Sequence, residues 1–121
     1  MLMLYNGQAL EGDADAASLV NYTIMGTTGG IDQVLAQGQL GTSAASLVTA
    51  AASVSVDISA IYLKNTDSSL HYVSLYVDGG SGTNTLISFT LQPKATAVYE
   101  AGRGWVVYSA DGVVQGPTLS Y

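Results

Sequence analysis

The sequence predicts an all-β fold, an antiparallel β-sandwich or jelly-roll-like barrel of about eight or nine short strands with an N-terminal arm. Three observations predict it. From Val54 to Val114, apolar and β-branched runs recur at roughly ten-residue spacing, separated by turn chemistry such as Asn65-Thr66-Asp67-Ser68-Ser69. Within those runs apolar and polar positions alternate, which is the period of a half-buried strand. Charge is scarce: Asp, Glu, Lys and Arg make up 10% of the 121 residues, against roughly a quarter in an average soluble domain. A small all-β protein this poor in charge is expected to be covered by neighbours rather than by water.

Residues 1–18 read as an arm or edge segment, and residues 19–121 as one sandwich domain, a length that suits a single core. Ala14 to Val20 has the composition of a helical turn, too short to be stable alone. Leu19 to Met25 is the first expected strand, ended by the breaker Gly26-Thr27-Thr28-Gly29-Gly30. Gln33 to Gln37 is the second. Strand character becomes clear from Ser46 onward. Val54, Val56 and Ile58 alternate with Ser53, Ser55, Asp57 and Ser59, and then the apolar parity flips to Ile61 and Leu63. A period of two cannot change face without an extra residue, so a β-bulge or bend is expected near Ser59–Ala60. Such a bend lets one long strand serve two sheets.

Leu70 to Asp78 places Val73, Leu75 and Val77 on one face and Tyr72, Ser74 and Tyr76 on the other. A flexible hairpin loop follows at Asp78-Gly79-Gly80-Ser81-Gly82-Thr83-Asn84. The next strand points Ile87, Phe89 and Leu91 inward, and Gln92-Pro93-Lys94 closes it. Ala97 to Tyr99 is a short strand before Gly102-Arg103-Gly104. Trp105 to Ser109 then pairs through Ala110-Asp111-Gly112 with Val113 to Gln115, where Asp-Gly is a tight-turn signal.

Several function classes are excluded or disfavoured by composition. Cysteine is absent, which removes disulfides and thiolate metal sites. One histidine, His71, leaves little room for zinc or Ser-His-Asp chemistry. No run of about 20 apolar residues is present to cross a membrane, and Met1-Leu2-Met3-Leu4 lacks the basic flank of a signal peptide. No cofactor is expected. A net charge of −6 argues against direct nucleic-acid binding. The charge is also uneven. Glu11, Asp13, Asp15, Asp32 and Asp57 lie in residues 1–63, whereas all the bases, Lys64, Lys94 and Arg103, lie beyond them.

The runs Ala60-Ile61-Tyr62-Leu63-Lys64-Asn65-Thr66, Val73-Ser74-Leu75-Tyr76-Val77, Leu86-Ile87 and Leu91-Gln92-Pro93 carry a resemblance. Over about residues 33–115 the chain resembles small β-sandwich structural proteins of tailed-bacteriophage virions, in which an Asn-Thr-type turn precedes a Val/Leu strand and a Gly-rich loop. Arg103-Gly104-Trp105 departs from the Gly-Asp-type approach to the last hairpin. The resemblance implies a virion component without catalytic residues, made in the host cytoplasm. It would be a capsid decoration or cement protein, or alternatively a tail, baseplate or head-fibre part. The implied partners are major capsid or tail proteins and further copies of itself, in a homo-oligomer such as a trimer.

Candidate interface residues follow from charge and aromatic content. Glu11, Asp13 and Asp15 alternate in what reads as an acidic loop, either a partner for a neighbour's bases or a weak Ca²⁺ site lacking EF-hand spacing. Lys64, Lys94 and Arg103 are the complementary cations. Arg103, between glycines, reads equally as an interface anchor or a charged turn residue. Tyr62, Tyr72 and Tyr76 are expected on one sheet face, with Tyr99, Trp105 and Tyr108 near the last hairpin. They would pack in the core or against subunits or, in a carbohydrate- or receptor-binding module, stack on sugars. His71 reads as an edge residue, with a pH-switch role as the alternative.

Overall fold

The computed structural model describes residues 2–78 and 85–114, and over them the chain is all-β in two antiparallel sheets. The strands are β1 (Leu2–Tyr5), β2 (Ala9–Ala14), β3 (Val20–Thr28), β4 (Ile31–Gln39), β5 (Ala45–Thr49), β6 (Ser55–Asn65), β7 (His71–Val77), β8 (Thr85–Leu91), β9 (Thr96–Glu100) and β10 (Gly104–Tyr108). One sheet runs β10-β9-β6-β3-β4, with β1 also paired to β6; the other runs β5-β2-β7-β8. The Gly-rich loop expected after Asp78 and the end of the last expected strand at Gln115 lie outside the described residues.

The two sheets bury one common core. Leu4, Val20, Ile24, Ile58, Ile61 and Leu63 of the larger sheet meet Leu10, Val73, Leu75, Ile87 and Leu91 of the smaller, all at 1% exposure or less. The inward residues of β7 and β8 fall at the expected parity: Val73 and Leu75, and Ile87, Phe89 and Leu91, are buried, while Tyr72, Ser88 and Thr90 are outside or partly so. Alternation selects a strand because only that period sends every second side chain to one face.

The parity flip in β6 is a bulge at the expected place. Against β3 the register steps from Met25↔Ala60 to Gly26↔Ile58, which skips Ser59. The Ser59 hydroxyl donates to the Met25 carbonyl at 3.2 Å. A second bulge lies beside it, where β4 skips Leu35 opposite β3. Gly26 sits at this crowded point: a Cβ there would lie 2.1 Å from the Asp57 carbonyl oxygen, so glycine is the residue the close approach admits. One expectation is corrected. β6 does not pass between two sheets; its halves instead take different neighbours, β1 along Ser55–Ile58 and β9 along Ala60–Lys64. Changing the inward parity lets each half bury apolar residues, Val56 and Ile58 in one and Ile61 and Leu63 in the other, within a single sheet.

Of the two expectations for residues 1–18, an arm or an edge segment, β1 fits the edge and β2 fits neither. β1 is hydrogen-bonded along β6, and β2 occupies an interior position between β5 and β7. Leu10, Gly12 and Ala14 point inward while Glu11 and Asp13 point outward. The inward set is small, so its alternation carries little hydrophobic signal, and packing between two strands supplies what propensity does not. This also raises the strand number to ten among the described residues. No helix forms at Ala14–Val20, where turns and bends with Ser18 at φ 63° connect β2 to β3. The breaker at 26–30 is shorter than expected. β3 continues to Thr28, and Gly29-Gly30, at φ 60° and 80°, makes the two-residue hairpin to β4, the positive φ pair a type I′ turn requires.

Candidate functional site

The densest polar arrangement lies at the end of the sandwich where β6 leaves one sheet and β7 begins in the other. Asn65 ends β6 fully buried. Its side-chain amide lies 2.9 Å from the Ser69 carbonyl and 3.1 Å from those of Leu91 and Gln92, and its Oδ1 accepts from the Asp67 amide at 2.9 Å. That last bond is an Asx turn, a local closure that short side-chain amides provide. The Thr66 amide and hydroxyl both donate to the Leu19 carbonyl, at 2.9 and 2.7 Å. Lys94, in the turn between β8 and β9 at φ 61°, donates its amide to the Asp67 carbonyl. Its ammonium reaches the Thr66 carbonyl, and Lys64 Nζ donates to the Lys94 carbonyl at 2.6 Å.

His71 completes the cluster. It opens β7 on the same inward parity as Val73 and Leu75 and is 7% exposed. Its Nδ1 is 2.7 Å from Asp15 Oδ1 and its Nε2 is 2.7 Å from Asp67 Oδ2. A neutral imidazole has only one N–H, so one carboxylate would face a bare lone pair. Two carboxylates therefore hold the ring protonated. The hydrogen bond to Asp67 raises the His71 pKa most, the one to Asp15 adds to it, and desolvation opposes both. Reciprocally, the His71 hydrogen bond holds Asp67 below its ordinary value, helped by the Ser68 amide.

Chemically the cluster binds loops to each other. With both nitrogens occupied by different carboxylates, His71 has no free nitrogen to take a proton from a substrate, and the carboxylates do not converge on one cation position. Among the described residues, no group of three or more His, Asp or Glu is placed to hold a metal ion.

The residues expected at an interface fall into five places. Asp15, Lys64 and Lys94 gather in this cluster. Glu11 and Asp13 lie on strand β2 rather than in an acidic loop, facing outward, and Asp13 accepts a hydrogen bond from the Tyr76 hydroxyl at 3.1 Å. Arg103 is at the far end of β9, an exposed turn residue paired with Glu100 at 2.9 Å. Trp105 takes the core alternative, which corrects its place among the interface candidates: it is 7% exposed, with Phe89 of the opposite sheet and Tyr99 each at a ring-centroid distance of 5.5 Å. Burial of that kind raises the Tyr99 pKa, with the Asp57 charge adding to it. Tyr108 ends β10 half-buried, bridged to Val114. The tyrosines do not share one face either, because Tyr62 lies on β6 of the larger sheet, whereas Tyr72 and Tyr76 lie on β7 of the smaller.

Asn65 and Asp67 are residues that the pattern reading passed over, and His71 is not the edge residue expected: it is buried and opens β7, an interior strand between β2 and β8. A signal for them existed: His71 stands at an inward position of its strand, where an imidazole must find partners, and acids precede it at Asp67 and Asp15. No protein-family model, curated protein or solved structure matches the chain.

Proposed function

We propose that this chain is a non-enzymatic structural protein of a tailed-bacteriophage virion, a capsid decoration or cement protein that works by contacts with copies of itself and with the shell. The observation that carries the reading is the edge strand β4. It is nine residues long and exposed along most of its length, with Ile31 64% and Val34 49% exposed. Soluble sheets blunt such edges with lysine, proline, a bulge or a covering loop; β4 has the bulge at Leu35 and one charge, Asp32, whose carboxylate is engaged by Thr27, and neither lysine nor proline. A groove lined by Val34, Leu35, Leu47 and Val56 runs along its inner side toward β5. In a chain with three Lys/Arg and nine Asp/Glu, an edge of this kind is suited to permanent burial in an assembly. The charge-poor strand grammar that resembles virion sandwiches points the same way.

Sedimentation of the purified chain over a wide concentration range, with co-sedimentation on phage capsids lacking it, tests the proposal. Oligomers and saturable shell binding are the expected result. A chain that stays monomeric and binds neither capsid nor tail proteins overturns it. The carbohydrate-binding alternative loses Trp105 as a surface anchor and rests on Tyr72, 59% exposed, so a Tyr72→Ala variant read on a glycan array separates the two.

A further inference from the structure

We infer that His71 is a proton-dependent latch: its imidazolium, clamped between Asp15 and Asp67, ties the β2–β3 and β6–β7 connections together, and loss of the ring proton opens that end of the sandwich. This is independent of the virion reading.

The geometry carries it. Asp15 arrives from the connection after β2, and its amide also donates to the Tyr72 carbonyl at 3.0 Å. Asp67 arrives from the connection after β6, in the turn that Asn65 closes. The two loops thus come from different sheets, and the imidazole is the charged bridge between their carboxylates at 2.7 Å on either side. Across the ladder β8 offers Leu91, which is apolar. On the neighbouring β2 the residue preceding Asp15 is Ala14, and the β8–β9 turn contributes Lys94, whose charge bears on Asp67. Lys64, from β6, is directed to the Lys94 carbonyl. Deprotonation leaves one N–H for two carboxylates, so one contact changes from a charge-assisted hydrogen bond to a repulsion between a lone pair and an anion. The bonds of Thr66 to Leu19 join the same two connections and do not titrate, so the opening is confined to the segments that carry Asp15 and Asp67 and leaves the two sheets packed.

The pH window follows from the direction of each shift. The folded state raises the His71 pKa above its ordinary 6.5, so the latch contributes fully below about pH 6.5 and is lost as pH rises through the raised value. Asp67 is held below its ordinary 3.8; its contribution is present above about pH 3.8 and is lost as pH falls through the lowered value. The latch is therefore fully closed between roughly pH 4 and 6.5 and opens on the alkaline side.

Long-range ¹H–¹⁵N NMR of the imidazole in the full chain reads the proton directly. The expected result is an imidazolium pattern on both ring nitrogens at about pH 6.5 and a titration midpoint above that of a free histidine, lowered in Asp67→Asn. A midpoint at or below about 6.5, or a single neutral tautomer at that pH, overturns the proposal. Urea midpoints give the second reading. The gap between wild type and His71→Gln is expected to shrink from about pH 6 to about pH 9, and a gap of constant size overturns it. Should His71→Gln not fold, Asp15→Asn supplies the same comparison, and the wild-type titration stands without either variant.

Discussion

Replacing Trp105 by alanine tests the core position that removes its indole from the candidate interface. The indole is 7% exposed and reaches across the interior from β10 to Phe89 of the opposite sheet, with Tyr99 on its other side. A tryptophan buries about 150–250 Å², which at about 25 cal/mol per Å² corresponds to about 4–6 kcal/mol of transfer free energy. Alanine retains a small part of that, and partial collapse of the site recovers more, so the expected loss is about 3–5 kcal/mol. Each tilted aromatic pair adds about 0.5–1.5 kcal/mol beyond area, which places the result toward the upper end. Since a domain is stable by only about 5–15 kcal/mol, Trp105→Ala removes a large share. Trp105→Phe keeps an aromatic ring between its two neighbours and is expected to lose less. Urea unfolding followed by circular dichroism reads both, with the midpoint lowered and the slope unchanged. A loss below about 1 kcal/mol for alanine, or glycan binding abolished with an unchanged midpoint, refutes a core role and restores the indole as a surface group.

Gly26→Ala places a Cβ against the Asp57 carbonyl at 2.1 Å and is expected to cost more than about 2 kcal/mol or to block folding, whereas Gly41→Ala, with nothing within 4 Å, stays within about 0.5 kcal/mol by the same urea assay. Asn65→Ala leaves the Asp67 amide without its acceptor and removes the side-chain donor to the carbonyls of Ser69, Leu91 and Gln92, the last of which keeps the Ala95 amide; thermal unfolding is expected to show a loss of about 2–4 kcal/mol. Arg103→Ala removes one exposed pair to Glu100, so its stability should fall within about 0.5 kcal/mol of wild type. Val34→Lys puts a charge on the exposed edge of β4; the fold is expected to be unchanged and sedimentation to shift toward monomer.

The fold was legible wherever large residues alternate. In β7, β8 and the two halves of β6, Val, Leu and Ile fill every second position, and the change of parity was enough to place the bulge at Ser59 before any coordinates. β2 was not legible, because Leu10-Gly12-Ala14 alternates in position and hardly in size. Its strand state is set by β5 and β7 on either side. β4 hid for a different reason: as an exposed edge strand it needs no apolar face, and Gln33-Val34-Leu35-Ala36-Gln37 shows only its middle. For Trp105, packing in the core and packing against a subunit could not be told apart, because an aromatic residue beside glycines and an arginine has the local composition of a surface turn. What buries it is Phe89, a contact between sheets that no local pattern records. Of the His71 clamp only the inward parity of the ring was legible; its partners were not, since Asp15 and Asp67 approach the ring from two connections whose meeting point exists only after both sheets have formed.

That clamp also changes what scarcity of charge means in this chain. Uneven distribution along the sequence suggests an acidic half facing a basic partner. In space, Asp15 and Asp67 are drawn to His71, with Lys94 and Lys64 tied to the adjoining turn. Charges used to fasten loops are satisfied locally and leave little to solvate the sheets. The cost is borne at the edge: β4 keeps Ile31 and Val34 in contact with solvent and has no lysine or proline to discourage another strand. A monomer constructed this way has a strong reason to associate. The surface most in need of cover is the edge of the six-stranded sheet, and the charged N-terminal segment is already part of the interior architecture.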